Sequence, residues 1–150
     1  MTRIDFYILP DSELHARYLF ACKLIQKTFK MGHKIVLLCD NEKTLNTMDE
    51  LLWQFCEHSF LPHKTFSDDQ ADDLSSNILL ITNNDMNRLE HDYHDLLINL
   101  SGPIHPCFSR FERVSEIVIQ EPQVLLDTRA NYQFYAERNY PLNRHDMRKR

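Results

Sequence analysis

The chain has 150 residues, of which 43% are hydrophobic and 26% are charged, a composition typical of one globular domain. Its formal charge is −5, from 17 basic and 22 acidic side chains, which argues against a protein that coats nucleic acid with cations. Only two glycines occur, Gly32 and Gly102, whereas the loops that cradle nucleotide phosphates need several. These counts disfavour nucleotide hydrolysis, dinucleotide binding and tight direct binding of DNA.

Strand and helix patterns alternate along the chain. Alternating or continuous apolar residues predict strands, and apolar residues at i, i+3, i+4 and i+7 predict helices. The predicted elements are strand 3–9, helix 12–31, strand 34–39, helix 41–55, strands 77–82, 96–100 and 116–120, and helix 122–140. Pro10, Gly32 and Pro122 stand at predicted ends or starts of these elements. Asp40 or Asn41 is expected to cap the second helix.

This order predicts one α/β domain with a mostly parallel sheet and helices on both faces. The first strand, helix and second strand make a βαβ unit with a right-handed crossover. The domain is expected to span residues 1–143. The basic residues 144–150 are expected to form a C-terminal tail outside it, and a disordered tail is one reading of them.

The compartment is expected to be the cytoplasm. No apolar run is longer than about six residues, whereas a membrane span needs about 20, so no membrane association is expected. The N-terminal residues lack the pattern of a signal peptide. The four cysteines lie 15 or more positions apart, which favours reduced thiols over disulfides.

Charge is distributed unevenly along the chain. Residues 40–100 contain 3 basic and 13 acidic side chains, whereas residues 129–150 contain 6 basic and 2 acidic ones. An acidic middle repels nucleic acid, while a basic end can face an acidic partner. The sequence therefore favours binding of an acidic protein segment over binding of DNA.

Patterns for catalysis and metal binding are weak. His91 and His94 have the i, i+3 spacing of two ligands on one helical face, but no third ligand stands nearby at a recognised spacing. No Gly-x-Ser-x-Gly segment exposes a nucleophilic serine. We therefore predict no catalytic site, no cofactor and no metal. The alternative is a small α/β hydrolase-like enzyme with an unrecognised active site, because a Cys–His pair can assemble in space.

Two aromatic clusters are candidates for binding. Trp53 ends a predicted helix and is followed by Phe60, Leu61 and Pro62. Such a cluster is either core or an exposed anchor for a partner, because aromatic side chains dominate interface hot spots.

The second cluster is on the last predicted helix. Leu125, Arg129, Tyr132 and Gln133 share one face at helical spacing. A face that mixes Arg with Tyr suits recognition better than core, because Arg binds a carboxylate bidentately while the ring packs against an apolar neighbour.

Several segments resemble the chi subunit family of the bacterial DNA polymerase III holoenzyme. The similar segments are 5–9, 32–39, 49–53, 59–63, 129–135 and 140–143. The resemblance covers nearly the whole chain, and Leu-Trp, Ser-Phe-x-Pro-His and Arg-x-x-Tyr at these positions are fairly specific together. It implies a Rossmann-like, three-layer fold without a nucleotide-binding loop. It also implies a non-catalytic accessory subunit of the clamp-loader complex in DNA replication, part of a DNA-directed DNA polymerase.

The resemblance implies two protein partners. One is the psi subunit, which links the protein to the clamp loader, and the residues implied for it are Trp53, Phe60, Leu61 and Pro62. The other is the acidic C-terminal tail of single-stranded DNA-binding protein, and the residues implied for it are Val118, Arg129, Tyr132 and Gln133.

The implied ligand at the second site has a distinctive end. The tail finishes in acidic residues, then Ile-Pro-Phe and a free carboxylate. Arg129 would bind the carboxylate, and Val118 and Tyr132 would form an apolar floor for the Phe ring. This chain departs from a family member that carries Lys at the positions of Leu125 and Gln133. Cations that remain to compensate are Arg138 and the arginines at 144, 148 and 150.

Overall fold

Strands and helices alternate in a computed structural model that describes residues 1–55, 61–66, 76–89 and 93–148. The strands are β1 (Arg3–Ile8), β2 (Ile35–Cys39), β3 (Lys64–Thr65), β4 (Ile78–Thr82), β5 (Leu96–Asn99), β6 (Arg113–Val118) and β7 (Leu142–Asp146). The helices are α1 (Leu14–Lys30), α2 (Glu42–Phe55), α3 (Asn83–Met86) and α4 (Pro122–Glu137), with a 3₁₀ helix at Pro106–Arg110.

The strands form one seven-stranded sheet with the order β3-β4-β2-β5-β6-β1-β7, and all the described strand pairs are parallel. Successive residues of β2 enter opposite cores: Ile35 and Leu37 pack with α1 and α2, whereas Val36 and Leu38 pack with residues of α3 and α4. This alternation is the ordinary consequence of pleated strand geometry. The predicted α/β architecture, a sheet between two helical layers, is confirmed.

Helix boundaries follow the sequence signals closely. The side chain of Asn41 caps α2, because its Oδ1 accepts a hydrogen bond of 2.8 Å from the backbone N–H of Thr44. Helix α4 begins at Pro122, as predicted, and Glu121 caps it by accepting from the backbone N–H of Val124. Helix α1 begins at Leu14, two residues after the predicted start at residue 12. Its N-cap residue is Glu13, whose side chain makes no capping hydrogen bond.

Strand β6 begins three residues before the predicted strand 116–120 and ends at Val118. The shift has a physical reason. Ser115 and Glu116 are polar but only 1% exposed, whereas hydropathy patterns assign polar residues to exposed positions. Hydropathy periodicity therefore does not mark where this strand begins.

Strand β7 was not expected from the sequence pattern. It pairs with β1 at the sheet edge and includes Arg144, His145 and Asp146, so residues 144–146 belong to the sheet and not to a tail beyond residue 143. Four of its five residues are exposed, which explains the missing apolar alternation. Asn139 makes the turn from α4 possible by adopting a positive φ of 62°, a conformation that Asn tolerates better than most residues.

A buried polar cluster around Glu116 joins α4 to the sheet. The Glu116 carboxylate accepts hydrogen bonds from Asn99 Nδ2 at 2.9 Å and Asn131 Nδ2 at 3.2 Å, and the Tyr135 hydroxyl bonds to it as well. Asn131 Nδ2 also donates to the carbonyl oxygen of Gly102 at 2.6 Å. Burial raises the pKa of Glu116 from 4.5 to about 7, although these donors and the charge of Arg17 oppose the rise.

The raised pKa of Glu116 predicts a pH dependence of stability. Between pH 4.5 and about 7 the folded chain binds more protons at Glu116 than the unfolded chain does, so its contribution is complete below pH 4.5 and is lost as the pH rises to 7. The loss amounts to about 3 kcal/mol. Urea unfolding at pH 5 and pH 7.5 should show it, and Glu116→Gln should flatten the difference.

Glu137→Gln is the matched control, because Glu137 lies exposed on the same helix. It should keep the pH dependence of the parent protein. A Glu116→Gln variant whose stability changes with pH as steeply as that of the control would contradict the assignment to Glu116.

Candidate protein-binding sites

An open cavity of about 310 Å³ lies at the carboxyl ends of β1 and β6. Ile8 and Val118 are the last residues of these strands and stand side by side in the sheet. Together with Phe6 they form an apolar floor. Ligands of parallel α/β folds bind at this edge of the sheet because the loops after the strands leave a crevice there.

Helix α4 forms one wall of the cavity. Leu125, Thr128, Arg129 and Tyr132 line it from this side. The ring of Tyr132 meets the ring of Phe6 edge to face with 5.2 Å between centroids, while 37% of Tyr132 remains exposed. The ring is therefore held by the core on one side and available to a ligand on the other.

The opposite side of the cavity is formed by residues of and after β7. Arg144 pairs with Phe6 in the sheet register, and Arg144 and Arg148 both line the cavity. Arg148 also donates two hydrogen bonds to the Asp146 carboxylate, from Nε to Oδ1 at 2.9 Å and from Nη2 to Oδ2 at 2.7 Å. This bidentate pair holds the pKa of the Asp146 carboxyl well below its usual range.

The cavity lining is positively charged. It contains three arginines, Arg129, Arg144 and Arg148, and no Asp or Glu. Within the described ranges, neither Arg129 nor Arg144 has a carboxylate within ion-pair distance. An apolar floor with unpaired guanidinium groups above it suits a ligand that carries both an apolar group and a carboxylate.

The structure brings together three of the four residues expected for tail binding. Val118, Arg129 and Tyr132 line the cavity, but Gln133 does not. Gln133 is exposed and its Nε2 donates to Glu137 at 3.0 Å. Arg138 also lies outside the lining, because its guanidinium stacks 3.7 Å above the Phe134 ring.

The sequence reading missed the other side of this cavity. The sequence pattern predicts Phe6 and Ile8 only as parts of strand 3–9, and it places Arg144 and Arg148 in a tail that supplies compensating charge. A usable signal is present, since Ile8 lies next to the end of this predicted strand and strand ends carry the ligand sites of parallel sheets. For Arg144 the signal is the register with Phe6, which the sequence does not display.

The expected psi-binding residues occupy different environments. Trp53, at the end of α2, is 51% exposed. Leu61 is only 4% exposed and belongs to the core beside α1 and α2, so its side chain supports this surface from below. Pro62 is half-buried, and Phe60 lies outside the described residues.

His63 connects Trp53 to the core. Its ring centroid is 4.4 Å from that of Trp53, and its side chain is fully buried. Nδ1 lies 2.8 Å from the carbonyl oxygen of Leu61, and Nε2 lies 2.9 Å from Oδ1 of Asp49. The exposed indole therefore rests on a ring whose position is fixed by two polar contacts.

Among residues 1–55, 61–66, 76–89 and 93–148, no group of three His, Cys, Asp or Glu side chains is arranged to hold a metal ion. His91 of the weak metal pattern lies outside these ranges. Cys39 is buried, and desolvation raises the pKa of its thiol to about 12, which opposes the thiolate form that a nucleophile needs. The same described residues include no helix with the length and apolarity to cross a membrane.

Comparison with known proteins matches the whole length of the fold. The family described as "DNA polymerase III chi subunit, HolC" matches residues 1–143. The DNA polymerase III subunit chi of Pseudomonas aeruginosa is 32% identical over 147 residues, which cover 98% of each chain. The proteins of the same name from Haemophilus influenzae and Escherichia coli are 25% and 23% identical, with 85% and 95% of this chain covered and 85% and 97% of theirs. By family match and by identity, the chain belongs to the DNA polymerase III chi subunit family.

Proposed function

We propose that the chain is a non-catalytic accessory subunit that binds two proteins, the psi subunit and the acidic C-terminal tail of single-stranded DNA-binding protein. Membership of the family makes it a component of DNA polymerase III with a role in DNA replication. In this proposal the protein links the clamp loader, through psi, to single-stranded DNA that is already coated. It does so without tight contact to the DNA itself.

The observation that carries the tail-binding half is the cavity between α4 and β7. Its floor of Phe6, Ile8 and Val118 is apolar, and its rim contains three arginines, of which only Arg148 is paired with a carboxylate, that of Asp146. A peptide that ends in Phe with a free carboxylate needs both features, because the ring must leave water while the charge finds a cation. A cavity of about 310 Å³ suits one ring and one carboxylate better than an extended nucleic-acid strand.

The charge distribution supports a protein ligand over DNA. Residues 40–100 carry a large excess of acidic over basic side chains. A negative charge of this size repels phosphate backbones, whose binding relies on many cations. The arginines of the cavity are confined to one concave patch, which suits the end of a single acidic peptide.

The observation that supports the psi-binding half is the exposed indole of Trp53. A tryptophan that is 51% exposed and seated on the buried ring of His63 is preorganised as an anchor. Tryptophan is enriched among the residues that dominate binding free energy at interfaces. Helix α2, which carries Trp53, packs against β2, β3 and β4, whereas the tail cavity lies at β1, β6 and β7 toward the other edge of the sheet, so both partners can bind together in this proposal.

The first test is capture of single-stranded DNA-binding protein of the same organism. The immobilised chain should retain the full-length protein and should lose it when the last residues of the tail are deleted. Equal retention of both forms would contradict the proposal. Naked single-stranded oligonucleotide should bind only above micromolar concentration at physiological salt.

Arg129→Ala should weaken binding of an Asp-Asp-Asp-Ile-Pro-Phe peptide by about 10- to 150-fold. The reason is that a hydrogen bond to a charged group contributes about 1.5–3 kcal/mol. Amidation of the peptide's C-terminus should weaken binding to the parent protein by a similar factor and add little in the variant. Fluorescence anisotropy with a labelled peptide measures both effects.

Arg138→Ala is the control for this measurement, because Arg138 is exposed at the C-terminal end of α4 but lies outside the cavity. It should change the affinity by less than about twofold. Additive effects of Arg129→Ala and amidation would show that Arg129 does not hold the carboxylate. Arg144 would then be the first alternative.

Trp53→Ala should reduce capture of psi by about 30-fold or more, as expected for a hot-spot residue. It should lower the free energy of unfolding by no more than about 1 kcal/mol, because the indole is half-exposed. Leu61→Ala is the contrasting variant. It empties a buried core position and should cost about 2–5 kcal/mol of stability.

Co-purification and urea unfolding separate these two effects. A Trp53→Ala variant that is strongly destabilised but still captures psi would place Trp53 in the core and contradict the proposed surface. Phe60→Ala, tested in the same way, extends the measurement to the segment between α2 and Leu61.

A further inference from the structure

The cavity carries more positive charge than one terminal carboxylate neutralises. Arg129 projects from α4, whereas Arg144 and Arg148 belong to the β7 side. A concave patch with several guanidinium groups favours a ligand with several negative charges. The terminal carboxylate, assigned to Arg129, leaves the two arginines on the β7 side without a stated role.

The side of the cavity that α4 forms supplies a single cation, Arg129. Leu125 lines the cavity as an apolar residue, and Gln133 turns to Glu137. Positive charge near the floor therefore comes from β7, where Arg144 stands next to Phe6 in register. Two of the three cations of the rim therefore lie on the strand side of the cavity.

Asp146 already forms an ion pair with one of these cations, Arg148. Its two carboxylate oxygens take the Nε and Nη2 of Arg148 at 2.9 and 2.7 Å, the geometry of an Arg–carboxylate fork. Both side chains remain substantially exposed, at 46% for Arg148 and 36% for Asp146. Such an exposed pair contributes little to stability, so an incoming carboxylate can replace Asp146 at small cost.

Resting on the proposed function, we propose that Arg144 and Arg148 receive the acidic side chains that precede the apolar end of the bound peptide. Asp146 is the internal competitor for Arg148 and holds it in place until the peptide displaces it. The β7 side thus binds the acidic stretch of the ligand. Tyr132 and the floor bind its apolar end, and Arg129 binds its terminal carboxylate.

The test uses two labelled peptides, Asp-Asp-Asp-Ile-Pro-Phe and Asn-Asn-Asn-Ile-Pro-Phe, both with a free C-terminus. They are titrated against the parent protein, the double variant Arg144→Gln/Arg148→Gln, Asp146→Asn and the control Arg138→Gln. Measurements at about 50 mM and about 1 M salt distinguish charge from packing, because ionic screening shortens the Debye length from over 10 Å to about 3 Å.

The double variant should bind the acidic peptide about 4- to 25-fold more weakly at low salt, since each exposed ion pair contributes about two- to fivefold. It should bind the Asn peptide as the parent protein does, and its deficit should disappear at high salt. Asp146→Asn should tighten the acidic peptide by about two- to fivefold, because Arg148 is then released. Arg138→Gln should match the parent protein throughout.

Two outcomes would overturn the inference in distinguishable ways. If the parent protein binds the acidic peptide and depends on Arg129, but the double variant behaves like Arg138→Gln, the β7 assignment fails and tail binding stands. If the parent protein binds neither peptide, the proposed function fails, and the β7 assignment with it. A double variant that loses both peptides equally also overturns the inference, because the arginines would then act on the apolar end or on the fold.

Discussion

The buried carboxylate of Glu116 determines where α4 sits on the sheet. Removing a carboxylate from water costs several kcal/mol unless donors surround it, and here the amides of Asn99 and Asn131 supply them from β5 and from α4. Asn131 must face the sheet to do so. Its neighbours Arg129 and Tyr132 then lie on the adjoining helix face and reach the cavity. A polar contact inside the core thereby orients the side chains of the recognition surface.

Much of the fold could be predicted because burial leaves a periodic trace in sequence. The fully buried strand β2 reads as a continuous apolar run, and Asn41 marks the start of α2 by its capping chemistry. That trace fails where burial and polarity disagree. The start of β6 is missed because Ser115 is polar yet buried, and β7 is missed because it pairs through its backbone while most of its side chains stay exposed.

Some residues of the candidate site could be predicted from the sequence and others could not. Arg129 and Tyr132 could be chosen from the sequence because a helical face that mixes these residues is too polar for core. Gln133 shares that face by spacing, and Val118 entered through family resemblance; of these two, only Val118 lines the cavity. Arg144 could not be placed at all, since its position depends on pairing with Phe6 across a sequence separation of 138 residues. Local patterns carry no information on such a register.

Strand β1 has as its only described neighbours β6 and β7, whose paired residues follow it by 110 or more positions. During synthesis from the N-terminus, the segment that contains Phe6 and Ile8 therefore has no strand to pair with until most of the chain has been made. Contacts of such long range form slowly, and apolar segments left open in the meantime are prone to aggregate. The cavity takes its floor from the first strand and its far side from the last. A nascent chain that stops before residue 142 would have a complete α4 but would lack Arg144 and Arg148 on the far side of the cavity, so the site forms only after β7 and Arg148 have been made.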